Sequence, residues 1–314
     1  MKKIYFAPLE GITGYIYRNA FNDIFHGKIN KYFSPFISPG INQALSKKEM
    51  RDVLPENNRG IYLVPQLLGC RAADILLGIK SLKELGYNEV NINLGCPSGT
   101  VVAKKKGSGL LAYQEELDEF LREIFEKADA KVSVKTRIGK ESPLEFIKIL
   151  DIYNKYHMEE LIIHPRVQRD FYKNAPHMNT FSYAEVNSKN VLCYNGDIVS
   201  EESYNKFCEG YPKTERIMIG RGFIRNPFLA GEITENRMLC RDKLTEFHHR
   251  LLNDYMEEMS GERPVLFKMK ELWSYMGDIF PDSDKQLKKI RKAESIRSYK
   301  TAAEDILRNG EIQV

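Results

Sequence analysis

Eight short apolar runs, helix-like segments between most of them, and a change of texture past residue 235 predict an α/β chain. The expected architecture is a (β/α)8 TIM barrel over 1–235, followed by a small all-helical C-terminal domain over 241–314. The runs are IYFAP from 4, KYFSPFI from 31, GIYLVPQLLG from 60, EVNINL from 89, KVSVKTR from 131, ELIIHPR from 160, NVLCYNG from 190 and RIMIGRG from 216. Between two of them, AADILLGIKSLKELG sets Ile75, Leu76, Ile79, Leu82 and Leu85 on one helical stripe ending at Gly86. YQEELDEFLREIFEKA does the same with Leu117, Phe120, Leu121, Ile124 and Phe125. A doubly wound open sheet shares this alternation. No G-x-G-x-x-G follows any run to open a helix, which speaks against a dinucleotide fold.

From 241 onwards no strand is convincing, and the helical pattern breaks near Gly261–Pro264 and near Pro281. Leu244, Phe247, Leu251 and Tyr255 recur at helical spacing. Residues 285–300, KQLKKIRKAESIRSYK, hold seven basic residues against one acidic. Such a run is a solvated helix face by default, and a phosphate-binding face if the partner is RNA.

The bulk properties narrow the classes. Apolar residues make up 42% of the 314 and charged residues 29%, the balance of a soluble globular chain. No run of about 18 apolar residues exists, so no membrane span is expected. MKKIYFAPLEG reads as a first strand, not a signal peptide. The five cysteines, 70, 96, 193, 208 and 240, are odd in number and widely spaced. They suggest neither disulfides nor a zinc site, so a reducing cytoplasm and no metal are expected. A net charge of +4 is too small to identify a polyanionic partner. A monomer is the expected state.

A barrel enzyme works at the C-terminal ends of its strands. Those positions hold Pro8-Leu9-Glu10-Gly11, Gln66, Asn93 with Cys96, Lys135 with Arg137, His164 with Arg166, Asn195-Gly196-Asp197 and Gly220-Arg221-Gly222. Each has a bland reading: a cysteine after a strand is usually inert, and a lone lysine or histidine is usually solvated or packed. Their placement on one rim argues otherwise. Glycines after the last two runs suit a phosphate held by backbone N–H groups, with Arg221 as a charged donor. Glycines that merely turn the chain are the competing reading. Gln66 and Lys135 beside such a site suit the ring of flavin mononucleotide, whose reduced anionic form a lysine stabilises.

Together, APLEGITGYIYRNAF, PQLLG, NLGCPSGTV…KGSGLL, VSVKTRIG, LIIHPR, YNGDI and MIGRGFIRNPF resemble the tRNA-dihydrouridine synthases across about 4–228. The resemblance implies reduction of uridine in tRNA to dihydrouridine, dependent on FMN and consuming NADPH. By it, Cys96 matches the catalytic acid and Asn93 a uracil-binding residue. Pro8, Leu9, Glu10, Gln66, Lys135 and His164 match flavin contacts. Asn195, Gly196, Asp197, Gly220 and Arg221 match the phosphate grip. Lys104 matches the catalytic loop's lysine, and Arg166 is a candidate substrate contact. Two departures stand out: HPRV replaces the common HGRT, and Val102-Ala103 replace a more polar pair. Rival readings are an FMN barrel acting on a free small molecule, of the dihydroorotate dehydrogenase kind, and a noncatalytic RNA-binding barrel.

The chemistry fits the residue types. Adding hydride to uracil C6 builds enolate charge at the C4 carbonyl, which a donor or cation must meet. The proton for C5 needs a nearby acid, and a thiol with an ordinary pKa of about 8.5 is mostly protonated near neutrality. Lys104, Lys105 and Lys106, just past the cysteine loop, are expected to meet RNA phosphates.

Overall fold

The computed structural model describes residues 2–25, 28–40, 43–235 and 240–313. Helix α1 (Tyr15–Phe25) lies between β1 (Lys3–Phe6) and β2 (Ile29–Phe33). Helix α2 (Lys47–Val53) precedes β3 (Leu63–Val64) and β4 (Gln66–Leu67), and α3 (Ala72–Glu84) leads to β5 (Glu89–Leu94). A short α4 (Gly99–Val102) and α5 (Gln114–Lys127) precede β6 (Lys131–Arg137). Then follow α6 (Glu145–Tyr153), β7 (Leu161–His164), α7 (Met178–Asn187), β8 (Leu192–Tyr194), α8 (Glu201–Gly210) and β9 (Arg216–Ile219).

All nine strands form one parallel sheet in the order β3-β2-β1-β9-β8-β7-β6-β5-β4. Its first and last members are joined through a single residue, Pro65, so the sheet closes on itself as a barrel. Eight expected strands become nine because Pro65 has no N–H to give a ladder. Its carbonyl still accepts from Asn91 N at 2.9 Å. Every expected apolar run is a strand.

Two-residue periodicity decides what faces the barrel interior. In β5, Glu89, Asn91 and Asn93 point inward, while Val90, Ile92 and Leu94 are fully buried on the other face. In β6, Ser133 bonds inward to Asn91, whereas Thr136 reaches Tyr153 of α6 at 2.8 Å. The interior is therefore layered. An apolar tier of Tyr5, Ala7, Phe33, Val64, Ile162, Cys193 and Met218 sits within it. Burial pushes the Cys193 thiol up, which keeps it protonated and inert.

At the N-terminal ends of the strands lies an ion-pair network. Glu160 Oε1 accepts from Tyr5 Oη at 2.6 Å and Lys31 Nζ at 2.9 Å, and lies 3.4 Å from Arg216 Nε. Lys31 also meets Glu89 at 2.7 Å, whose other oxygen accepts from Tyr62 at 2.9 Å. Two cations balance two carboxylates among groups almost shut off from water.

The chain divides into two compact units. One holds residues 1–8, 30–197 and 211–218; the other holds 9–29, 198–210 and 219–314. The second unit contains α9 (Arg221–Arg225), α10 (Leu229–Glu235), α11 (Arg241–Glu258), α12 (Glu262–Met276), α13 (Asp284–Lys292) and α14 (Ile296–Asn309). Helix α1 belongs with them. Tyr17 and Phe25 both set their rings against Phe247 of α11, at 5.4 and 4.9 Å between centroids. Leu244, Phe247, Leu251 and Tyr255 are buried, as their spacing predicts. Pro264 lies in the first turn of α12, where its missing N–H has no helical partner to lose. Trp273 Nε1 and His248 Nε2 both meet Tyr299 Oη, at 2.8 and 2.6 Å, tying three helices together. Burial lowers the His248 pKa to about 3, so the ring is neutral.

Removing one carboxylate from the barrel base strands buried cations. Glu160→Ala is expected to cost about 3–5 kcal/mol, read as a lower urea midpoint with an unchanged slope.

Candidate active site

The polar tier above the apolar one begins at Gln66. Its Nε2 donates to Asn91 Oδ1 at 2.8 Å, and its Oε1 accepts from Asn93 Nδ2 at 2.7 Å. Asn91 passes the chain to Ser133 Oγ at 2.9 Å, and Ser34 Oγ accepts from Gln66 N at 3.0 Å. Each amide is fixed in orientation by its neighbours, which makes the tier a rigid platform.

Asn93 also shapes the loop after β5. Its Oδ1 accepts from Gly95 N at 3.0 Å and Cys96 N at 2.9 Å, an Asx-type cap on the strand end. The Cys96 carbonyl accepts from Ser108 N at 3.1 Å and Ser108 Oγ at 2.9 Å. The cysteine backbone is thus clamped on both sides, while its side chain is only half-buried. Gly107 makes the clamp possible. Its φ is +57°, and a Cβ there would lie 2.7 Å from the Cys96 carbonyl oxygen.

Lys135 stands beside Asn93 in register on β6. It makes no hydrogen bond or ion pair with any described residue. Burial and the adjacent Arg137 push its pKa down to about 8, partly opposed by the nearby thiols of Cys96 and Cys193. A half-buried cation with no protein anion beside it suits an anionic ligand group.

His164 pairs in register with Arg137. Arg166 Nη1 donates to His164 Nε2 at 2.9 Å and to Asp197 Oδ1 at 2.9 Å, while Nη2 donates to Asp197 Oδ2. Arg166 Nε donates to Asn174 O at 2.6 Å. A guanidinium only donates, so Nε2 of His164 must accept and its proton sits on Nδ1. Arg166, expected as a substrate contact, is 1% exposed and uses its donors within the protein. Its visible work is to set the tautomer of His164.

Asn195 and Gly196 follow β8. Asn195 Nδ2 donates to Met218 O at 2.8 Å, bridging to β9. A Cβ on Gly196 would fall 1.9 Å from Tyr194 Oη, so only glycine fits. The remaining expected contacts are peripheral to this tier or lie in the second unit. Pro8 ends the first segment of the barrel unit, half-buried. In the second unit, Leu9 N donates to Thr13 Oγ1 at 2.8 Å ahead of α1, and Glu10 is exposed. Gly220 precedes α9, which Arg221 opens.

The three lysines past the cysteine separate. Lys104 is exposed, and its carbonyl accepts from Cys70 Sγ at 3.5 Å. Lys105 is tied up, 2.8 Å from Glu116 and 4.1 Å from the Tyr113 ring centroid. It is a loop anchor rather than a waiting cation.

A family described as Dihydrouridine synthase (Dus) matches residues 5–311. The chain belongs to that family. It is accordingly a flavin-dependent oxidoreductase. The tRNA-dihydrouridine(16) synthase of Shewanella oneidensis is 25% identical over 316 residues, covering 96% of this chain and 95% of that protein. The probable tRNA-dihydrouridine synthase 2 of Bacillus subtilis is 28% identical over 259 residues, 80% of this chain and 78% of that one. Among solved structures, morphinone reductase superposes with a TM-score of 0.55 at 11% identity, over 76% of this chain and 86% of its own, a likeness of fold alone. No helix among the described residues of this dihydrouridine synthase is long and apolar enough to cross a membrane.

Two residues have work that the sequence did not assign: Arg137, placed on the rim without a role, and Tyr172, not singled out at all. Arg137 donates from Nε to Gly95 O at 3.0 Å, from Nη1 to Val167 O at 2.8 Å and from Nη2 to Phe171 O at 2.7 Å. Tyr172 stacks on His164 at 5.7 Å and lies 5.3 Å from the Arg137 guanidinium. The only sequence signal was Arg137's place at a strand end. The HPRV departure is absorbed locally, since Pro165 O accepts from His177 N at 2.6 Å and Val167 O from Arg137.

Two expectations follow in this dihydrouridine synthase. Lys135 has a folded pKa below its unfolded value, so the unfolded chain binds more protons between about pH 8 and 10.5. Its penalty is full below pH 8 and fades as pH rises through that window. Lys135→Met should therefore stabilise the flavin-free protein at pH 7 by on the order of 1 kcal/mol, discounted for partial solvation, with the gain shrinking at pH 10. Paired thermal melts of the two proteins at each pH read this directly. In selectively 15N-histidine-labelled protein, His164 should show the neutral Nδ1–H pattern at pH 7, and Arg166→Met should lose it. With six histidines in the chain, His164→Gln identifies the signal.

Proposed function

We propose that this enzyme reduces a uridine in tRNA to 5,6-dihydrouridine with FMN as cofactor and NADPH as reductant. The observation that carries the reading is Cys96, clamped through its backbone on the same rim as Asn93 and Lys135. FMN held there supplies a hydride for uracil C6, and NADPH restores it. The chain's residues do the rest. Gln66 offers amide groups to the ring edge from a fixed platform. Lys135 offers a cation that favours the reduced, anionic ring. His164 offers a permanent Nδ1–H donor, kept so by Arg166.

The Cys96 thiol delivers its proton to C5, with Asn93 presenting the loop and the base edge together. The glycines Gly196 and Gly220, with Asn195, Asp197 and Arg221, form the phosphate grip, where Asp197 works through Arg166. Pro8, Leu9 and Glu10 close the flavin edge. Lys104 meets the RNA backbone near the cysteine.

Residues 1–235 serve as the catalytic barrel and 241–314 as the tRNA-binding domain. In support, α13 and α14 border a groove of about 1320 Å³ where Lys285, Lys288, Lys289, Lys292, Arg297 and Arg308 outnumber Glu294, Glu304 and Asp305. Ile290 and Ile296 are buried beneath it, leaving the lysines outward. A cationic groove of this kind suits the phosphate backbone. The enzyme works as a cytoplasmic monomer without a metal.

The test is made on tRNA. A deletion strain should lose dihydrouridine at one or a few tRNA positions by mass spectrometry, and the wild-type gene should restore it. Cys96→Ala protein should keep FMN but lose at least a hundredfold in uridine reduction. Wild-type turnover by that variant would remove Cys96 from the acid's role.

A further inference from the structure

The loop between β7 and α7 is built at some conformational expense. Phe171 has φ +47° and ψ −102°, a conformation that residues with a Cβ seldom adopt. Such a backbone persists only where its surroundings over-determine it, and here they do. Arg137 holds the Phe171 carbonyl at 2.7 Å. Asp170 accepts from Val167 N at 3.0 Å and Asn174 Nδ2 at 2.5 Å, and its Oδ2 lies 3.0 Å from His177 Nε2. The result is two consecutive aromatics with different tasks. Tyr172, itself 52% exposed, sets its ring against His164 and Arg137, while Phe171 is 48% exposed without such a ring contact among the described residues.

Packing does not explain an aromatic held outward by a strained backbone. The same guanidinium that fixes Phe171 also fixes Gly95, one residue before Cys96. The exposed ring therefore belongs to the rim of the reaction site. Of its basic neighbours, Arg169 pairs with Glu141 and Lys173 is exposed. Two neighbouring exposed rings, Phe171 and Tyr172, beside the exposed Lys173 make a patch far smaller than the broad apolar surface a protein partner needs, and match a base-stacking platform. Swinging a uridine into the barrel leaves the face of the adjacent base without its stacking partner, a loss the enzyme must offset.

We propose that Phe171 stacks on a base adjacent to the target uridine, replacing the contact that base loses when the uridine leaves the stack. This rests on the tRNA-uridine reading above, and names a second RNA contact for it. The Phe171 carbonyl, not its ring, bonds Arg137, so side-chain replacements spare the tie that holds the loop.

The test uses the FMN-loaded enzyme and a transcript of the substrate tRNA, with the target first located by mass spectrometry. 2-Aminopurine is placed on either side of that uridine, and its fluorescence follows stacking. Wild type should quench one of the two flanks. Phe171→Leu, apolar but not aromatic, should lose that quenching and weaken tRNA binding roughly tenfold, whereas Phe171→Trp should retain both. Melting of each variant checks the fold. If Phe171→Leu quenches and binds as wild type does, or if Leu and Trp fail alike, the proposal is overturned while the functional reading stands. If wild type forms no dihydrouridine in the transcript, the functional reading falls and takes the proposal with it.

Discussion

The rim of the barrel depends on the guanidinium of Arg137. It is 1% exposed, and its three donor nitrogens go to backbone carbonyls on two different loops, those after β5 and β7. A buried arginine spent on backbone is costly unless every donor is matched. Once matched, it acts as a rigid strut. The cysteine loop and the aromatic loop are set relative to each other by one side chain, whose position is dictated by the period of β6. A lysine at 137 would supply a point charge without the planar fork, and could not hold three carbonyls in fixed directions.

Around that strut the charge is unbalanced. Lys135, Arg137 and Arg166 lie close together; Asp197 binds Arg166 in two-point fashion and the buried Asp170 attracts Arg137, which still leaves one cation in excess. At the opposite end of the strands two cations face two carboxylates and the sum is nil. The positive excess therefore sits at the end where an anionic ring and phosphate are expected, in surroundings that screen it weakly. The depressed pKa of Lys135 has the same origin: burial and Arg137 oppose its proton until an anion arrives.

Much of this was legible in the residues, and the limits have physical causes. Alternation in EVNINL and KVSVKTR carries which side chains share a face, because a strand's period is strict. The cap at Asn93 has a local cause, since a short amide side chain bonds its own neighbours, as it does at Gly95 and Cys96. The split at Pro65 follows from a missing N–H and was open to the same reasoning. The partners of Arg166, Arg137 and Lys105 were not legible. They depend on how loops close in space, and Lys105 meets Glu116 only after the chain reverses at Gly107. The grouping of α1 with the C-terminal helices was hidden for a similar reason. Tyr17 and Phe247 lie 230 positions apart, and each helix stripe reports burial without naming its partner.

The clamped cysteine loop also constrains how the reaction can be controlled. Asn93 and Ser108 fix the backbone on either side of Cys96, so the protein's own side chains order that segment. In its proposed role as acid, Cys96 stands ready at the moment of reaction and gives the enzyme no induced-fit step at the thiol with which to select its substrate. Discrimination must then come from bringing the correct uridine to the pocket. In the proposed function that task falls to surfaces that hold the rest of the tRNA, for which the exposed lysines of α13 and the outward aromatic of the β7–α7 loop are the candidates. Chemistry is fixed by the barrel, and choice is left to the contacts around it.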